Sequence, residues 1–410
     1  MRHILYIWHL LLIHHTITCI FNYRIVESAL TWSEVDVGDS KLLFKDVSEF
    51  ASASVSHDWF FFGGISELKY SNSLVKFNSK SNKWSNVSCG GELPCPRAGS
   101  SLTLLNNSLI LFGGQNYDGT FSDLFSLDLH TFIWKKLYIA YTIESRSGHA
   151  TTSDGENIYI FGGYNENGTY LNDLWQLSID DDVANFKLIG DGIVPETENA
   201  TITYVLGNIY LIGGYKNNSK KVWKFTDKWN PITPPLQINL PEGHTSIRIG
   251  HSILILGGAY NNYSISSYND HLWVFSITTN SWTILPIFND IKYPISAAIL
   301  YDTIYILNKN GMIYNLNNVH LCGFGVDVCS GKGSCNGRIC SCLPGHYGHD
   351  CGDTVVSAIE LNTNESNLVG TGIFRFNSKH LMISFCVIAC LYFVTKSAKK
   401  KSDDNTDPLF

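Results

Sequence analysis

Short apolar runs, each closed by a pair of glycines, recur at a steady interval along the middle of the chain. They read Trp59-Phe60-Phe61-Phe62-Gly63-Gly64, Leu109-Ile110-Leu111-Phe112-Gly113-Gly114, Ile158-Tyr159-Ile160-Phe161-Gly162-Gly163, Ile209-Tyr210-Leu211-Ile212-Gly213-Gly214 and Ile253-Leu254-Ile255-Leu256-Gly257-Gly258. The first glycines stand 50, 49, 51 and 44 residues apart. After each pair comes a polar loop, then a second apolar strand such as Asn172-Asp173-Leu174-Trp175-Gln176-Leu177 or Leu272-Trp273-Val274-Phe275. An aromatic then opens a further strand: Trp84, Trp134, Phe186, Trp229 and Trp282. One small antiparallel sheet cannot bury both of its faces alone, so repeats of this kind stack as blades around an axis. A period near 50 built from short strands predicts a β-propeller.

The double glycine, the downstream aromatic and the Trp, held in register five times, resemble the kelch family. That resemblance implies glycines that let the backbone turn tightly and aromatics wedged between neighbouring blades. Ile304-Tyr305-Ile306-Leu307 repeats the strand once more, with Asn308-Lys309 at the glycine position 51 residues after Gly257. Met312 to Leu316 supplies the following strand, but no Trp follows it before Cys322. Near the start, Leu30-Thr31-Trp32-Ser33-Glu34-Val35 is a strand with nothing local to pair with. A ring whose last blade takes its outer strand from there accounts for both facts and removes two open sheet edges. The expected fold is all-β, a six-bladed kelch propeller over residues 30–318.

Cysteine placement extends this picture. Six cysteines, at Cys322, Cys329, Cys335, Cys340, Cys342 and Cys351, crowd into one short segment, the pattern of a disulfide framework in an oxidising compartment. Fifteen pairings are open to six cysteines. The Cys-x-Cys centre, Gly333, and Leu343-Pro344-Gly345-His346-Tyr347-Gly348 resemble an epidermal growth factor (EGF)-like module over 322–351. That resemblance implies bridges 322–335, 329–340 and 342–351. Cys89 and Cys95 are expected to close a small loop of their own. Neither the spacing of zinc ligands nor the acidic lead-in of calcium-binding modules is present.

The two ends carry targeting patterns. Met1-Arg2-His3 and the apolar run to about Phe21 predict a secretory signal over residues 1–28. His380 to Thr395 is uncharged, mostly apolar, and followed by Lys396, Lys399, Lys400 and Lys401, which predicts a type I transmembrane helix over 380–395. A stalk over 352–379 and a cytoplasmic tail over 396–410 complete the expected order, with Cys386 and Cys390 lipid-facing or acylated. Glycosylation sequons begin at Asn86, Asn106, Asn167, Asn199, Asn217, Asn262 and Asn364, all between the two apolar ends. The whole resembles a reduced attractin-type receptor at the plasma membrane or a secretory-pathway membrane.

Composition narrows function. Charged residues make up 16% of the chain and the net charge is −7, which leaves no basic footprint for nucleic acid. The aromatic share of 13% argues against disorder. No nucleophile elbow, zinc-protease helix or phosphate-cradling loop occurs, and no cofactor or metal is expected. His149 and His244 share one repeat position, 13 residues before a first glycine, and read as packing residues at a strand start. In kelch proteins a Pro-Arg-x-Gly segment lies at the channel mouth, and Pro96-Arg97-Ala98-Gly99 and Ser145-Arg146-Ser147-Gly148 match it. Carried across by register, the resemblance implies three cations, Arg97, Arg146 and Lys292, around one opening suited to an acidic peptide or sialylated glycan. The favoured reading is binding of an extracellular protein or acidic glycan. The alternative is a propeller enzyme of the sugar mutarotase or isomerase type; the copper radical oxidase of kelch-like fold needs a Cys–Tyr cross-link, and Cys89 and Cys95 are the only propeller cysteines.

Overall fold

The computed structural model describes residues 30–38, 44, 46–141, 143–190, 192, 194, 196–214, 222–233, 243–262, 265–268, 272–285, 287–288, 294–301, 303–317 and short strand pieces between 333 and 354. Six antiparallel sheets make the blades, each with strands a to d from the axis outward. Blade 1 comprises Ala51–Val55, Asp58–Phe62, Leu74–Asn78 and Lys83–Val87; blade 2 comprises Ser101–Leu105, Ser108–Phe112, Leu124–Asp128 and Ile133–Lys136. Blade 3 runs from Ala150–Ser153 to Val183–Gly190, blade 4 from Thr201–Val205 to Trp229–Ile232, and blade 5 from Thr245–Ile249 to Ser281–Leu285.

Blade 6 closes the ring. Its strands Pro294–Leu300, Thr303–Asn308 and Ile313–Asn317 come from the end of the propeller, and its outermost strand is Leu30–Glu34. That strand pairs antiparallel with Ile313–Asn317 in the register Trp32↔Leu316. Each of the six blade interfaces holds one aromatic from strand d of the later blade: Trp84, Trp134, Phe186, Trp229, Trp282 and, from the N-terminal strand, Trp32. All six are buried. The strand patterns follow from this stacking. Strand b is covered by neighbouring blades on both faces, so it reads as an unbroken apolar run such as Trp59 to Phe62, all buried. Strand d alternates, as in Ile133–Lys136, where only Trp134 is buried. Strand a borders the axis and carries hydroxyls, as in the sequences ASASV and ATTS.

Three joints between blades gain a fifth strand. The segment leaving blade 1, Gly90–Gly91, pairs parallel with strand d of blade 2. Tyr138–Ile139 does the same on blade 3, and Ile287–Phe288 on blade 6, covering edges that would otherwise be open. This corrects the expected Cys89–Cys95 bridge: both thiols are free. The intervening Gly90–Gly91 lies stretched along Ile133 and Trp134, and the Cys89 thiol faces Val87 O at 3.6 Å instead. Burial pushes that thiol above its ordinary pKa, against a lowering contact with Trp134.

Beyond the ring, Gly333–Cys335 pairs with Cys340–Cys342, and His346–Tyr347 with Asp353–Thr354. The side chains of these strands, and Cys322, Cys329 and Cys351, lie outside the described residues, as do the expected signal, span and tail. Among the described residues no helix is long and apolar enough to cross a membrane.

Candidate functional site

Successive strands of a blade run in opposite directions, so the a–b and c–d connections lie on one face of the ring. These are turns of two to four residues. The b–c connections and the links to the next blade lie on the opposite face and, apart from the four-residue b–c turn of blade 6, are longer. They hold the glycine pairs, the hairpins Ile65–Ser66/Lys69–Tyr70 and Gln115–Asn116/Gly119–Thr120, and the Arg97 and Arg146 segments.

Arg97 and Arg146 do reach this face, but as staples beneath it. Both are 0% exposed, which overturns the expected ring of solvent-facing cations. Arg97 donates from Nη1 to Asp123 Oδ1 at 2.5 Å and from Nη2 to Oδ2 at 3.0 Å, and Nη1 also donates to Gly113 O at 3.0 Å. Its guanidinium stacks 4.1 Å over the Phe121 ring. Arg146 repeats the pattern with Asp173 at 2.8 and 2.9 Å and Gly162 O at 3.1 Å. Burial would raise the Asp173 carboxyl, but the hydrogen bonds and charge of Arg146, with a hydrogen bond from Trp175, hold it below the ordinary value.

The backbone of each arginine ties the preceding blade. Gly64 N donates to Arg97 O and Gly114 N to Arg146 O, both at 2.9 Å. The loop comes so close that a Cβ on Gly113 would stand 2.7 Å from Arg146 O, at a φ of +63°, which accounts for glycine there. Blade 1 has Val47 at the arginine position and Ser73 at the aspartate position, so both partners are replaced together. The aspartates were the residues that reading the sequence missed. Their signal was present, because Asp123 and Asp173 each directly precede strand c. Lys292 lies outside the described residues.

Inside the staples, a second ring circles the channel mouth. Gly99 N donates to Glu49 O at 2.8 Å, Gly148 N to Gly99 O at 2.9 Å, and Asn199 N to Gly148 O at 2.9 Å. Glu49, Gly99, Gly148, Asn199 and Gly243 all have φ between +53° and +66°, one left-handed residue for each of blades 1 to 5 at matching register. Below them, hydroxyls link adjacent blades across the channel wall: Thr103 to Thr151 at 2.9 Å, Thr203 to Ser246 at 2.9 Å and Ser52 to Ser296 at 3.4 Å. The histidines belong to this wall. His149 Nε2 meets Ser101 Oγ and His244 Nε2 meets Thr201 Oγ1, each at 2.8 Å, so both are buried strand-start residues bridging blades.

His149 makes stability depend on pH. Burial, aided by the Arg146 charge, pushes its pKa down from 6.5 to about 3. As pH falls below 6.5 the unfolded imidazole takes a proton that the folded one refuses, so stability is lost from pH 6.5 down toward 3. The expected slope from this group is up to about 1.4 kcal/mol per pH unit. Urea unfolding across that range checks it: His149→Gln is expected to flatten the curve between about pH 5 and 6.5, and an unchanged slope would refute the assignment.

The mouth is a cavity of about 550 Å³ whose lining includes Glu49, Ser100, Ser147, Tyr164, Glu198 and Asn199. No Lys or Arg lines it among the described residues. The Tyr164 phenol lies above its ordinary pKa through burial and the nearby Glu49 and Glu198 carboxylates. Tyr70 is raised likewise by burial, Glu49 and Tyr117. Beside the mouth, Leu68 and Tyr117 stand 79% and 77% exposed on the two hairpin tips. Of the expected sequons, Asn167 and Asn199 are exposed on this face, Asn86 is exposed on strand d of blade 1, and Asn106 is exposed in an a–b turn on the opposite face. Asn217 and Asn364, and the Asn262 side chain, lie outside the described residues. Among those residues no group of three His, Cys, Asp or Glu could hold a metal.

The same repeat is found by comparison with known proteins. Residues 49–242 match the KLHDC2/KLHL20/DRC7 Kelch-repeats domain. The match spans blades 1 to 4, which hold four of the five glycine pairs and both arginine staples. The chain is 26% identical over 267 residues to Kelch domain-containing protein 3 of Homo sapiens, covering 57% of this chain and 68% of that protein. It is 28% identical over 258 residues to Host cell factor of Drosophila melanogaster, covering 50% and 17%. With the Dynein alpha chain, flagellar outer arm, of Chlamydomonas reinhardtii it shares 31% identity over 189 residues, 42% of this chain and 4% of that one. The chain thus spans a small part of the two longer relatives. Family model and relatives together support a kelch-repeat propeller. They lend nothing to the sugar isomerase alternative.

Proposed function

We propose that this chain is a protein-binding scaffold: a kelch propeller carried outside the membrane on a single-pass span, with an EGF-like module between ring and anchor. The observation that carries the binding reading is the asymmetry of the ring. One face has only tight turns, whereas the other presents long loops, a carboxylate-lined mouth and exposed apolar hairpin tips. A rigid ring that displays loops on one side binds through those loops. Support for the compartment is confined to the sequence: the apolar ends, the cysteine cluster and the seven sequons that lie between those ends. The scaffold and its topology are tested together by expressing the full chain in a eukaryotic secretory host. Expected are glycan occupancy at the exposed Asn167, cleavage of the tail by protease added to intact cells only once the plasma membrane is permeabilised, and cross-linking of the propeller to a surface protein. An unglycosylated chain in the soluble fraction would overturn the topology, and a propeller that cross-links to nothing would overturn the scaffold.

A further inference from the structure

The geometry points to a specific partner chemistry for the loop face: a basic peptide segment of another protein, docking over blades 1 and 2. Its apolar residue lies on Leu68 and Tyr117, and its Lys or Arg side chains face Glu49 and Glu166. This rests on the protein-binding reading above and adds the class of partner.

Three observations converge on that quadrant. The hairpin tips of blades 1 and 2 are joined into one platform: Tyr117 Oη donates to Leu68 O, and the Tyr70 and Tyr117 rings meet edge-to-face at 4.8 Å. Two large apolar side chains more than three-quarters exposed on a joined platform form a contact surface rather than scattered exposure. Backbone conformation tells the same story. The turn between Lys69 and Ser66 is made by Glu67 and Leu68 with φ of +48° and +63°, where Asn-Gly is the sterically relaxed choice. A leucine in the left-handed region at a solvent-exposed tip adopts a backbone conformation disfavoured for its type, and strain of this kind clusters at functional sites.

Charge then selects the partner. Among the described residues, Glu49, Glu67, Asp118, Glu166 and Glu198 populate this part of the face, against Lys69 on the blade 1 hairpin, with Lys309 on the b–c turn of blade 6. Glu166 leans on the blade 2 hairpin, its Oε1 3.5 Å from where a Gly119 Cβ would be. The arginines that would favour an acidic ligand are consumed beneath the surface by Asp123 and Asp173. An acidic peptide, a sialylated glycan or a nucleic acid would therefore meet repulsion here, and a basic peptide attraction. The sequons of this face belong to the links and loops of blades 3 and 4, with Asn167 directly after Glu166 at the edge of the platform and Asn199 in the mouth.

The test presents the purified full chain in detergent to an immobilised library of 12-residue peptides that varies charge and apolar content independently. Expected is selective capture of peptides joining Lys or Arg to a large apolar residue, weakened by raising salt. The double variant Glu67→Asn/Leu68→Gly gives the turn its relaxed residues, so it is expected to keep or raise the melting temperature while losing capture about tenfold or more. Glu49→Lys with Glu166→Lys tests the charges without touching the turn and is expected to abolish the preference for basic peptides. Capture that is blind to charge, favours acidic peptides, or survives both double variants overturns this proposal and leaves the scaffold reading standing. A full chain that retains no peptide of any class overturns both.

Discussion

Replacing Arg97 with methionine is expected to cost the propeller about 3–5 kcal/mol, the scale for breaking a buried ion pair from one side. The loss is not the worth of the pair. It is the penalty of leaving the Asp123 carboxylate, one-fifth exposed, with no countercharge, together with an orphaned Gly113 carbonyl. The double change Arg97→Met/Asp123→Leu removes both charges and is expected to recover much of the loss. Blade 1 already makes that argument, carrying Val47 and Ser73 where blades 2 and 3 carry Arg and Asp, with its glycine pair intact. Urea midpoints of the two variants and the parent decide the matter. If Arg97→Met unfolds with the parent, or the double variant is no more stable than the single, the staple is not what holds the segment.

Loss of the N-terminal strand is expected to be as severe and to look different. Trp32→Ala removes the one aromatic wedge between blades 5 and 6 and is expected to cost about 3–5 kcal/mol. Deleting residues 30–37 goes further, because it also removes Val35 and Val37 from the interface between blades 6 and 1. The deletion exposes the edges of Ile313–Asn317 and Ile287–Phe288, which pair with nothing else on that side. Two open edges on a ring invite pairing with another copy. Size-exclusion chromatography is expected to show Trp32→Ala as a destabilised monomer and the deletion as aggregate. A monomeric, cooperatively melting deletion variant would show that the ring holds with its last blade one strand short.

Sequence and structure divide the protein along a physical line. The propeller was legible because its determinants are local and repeated. A strand covered on both faces is written as an apolar run, a left-handed turn as glycine, and a blade wedge as an aromatic at fixed register. Even the closure followed from counting, since an unpaired strand bearing Trp32 at one end matched a blade short of a strand and a Trp at the other. The functional face was not legible in the same way. Arg97 and Arg146 sit in a mouth-type segment, and a reading along the chain left them exposed. Their burial depends on aspartates 26 and 27 residues away and, for Arg97, on the Phe121 ring stacked against its guanidinium. Cys89 and Cys95 have the spacing of a loop bridge, yet the glycines between them are drawn onto a neighbouring blade's edge.

The same holds for Leu68. Nothing in Glu67-Leu68 announces a left-handed turn, because the conformation is imposed by pairing of the short strands on either side and by Tyr117 reaching across from blade 2. By itself the sequence therefore determined the count, order and closure of the blades, which depend on residue type at a fixed period. Only the tertiary structure decided which charges are spent inside and which are left to meet a partner, because desolvation and pairing are set by residues far apart in the chain that folding brings together.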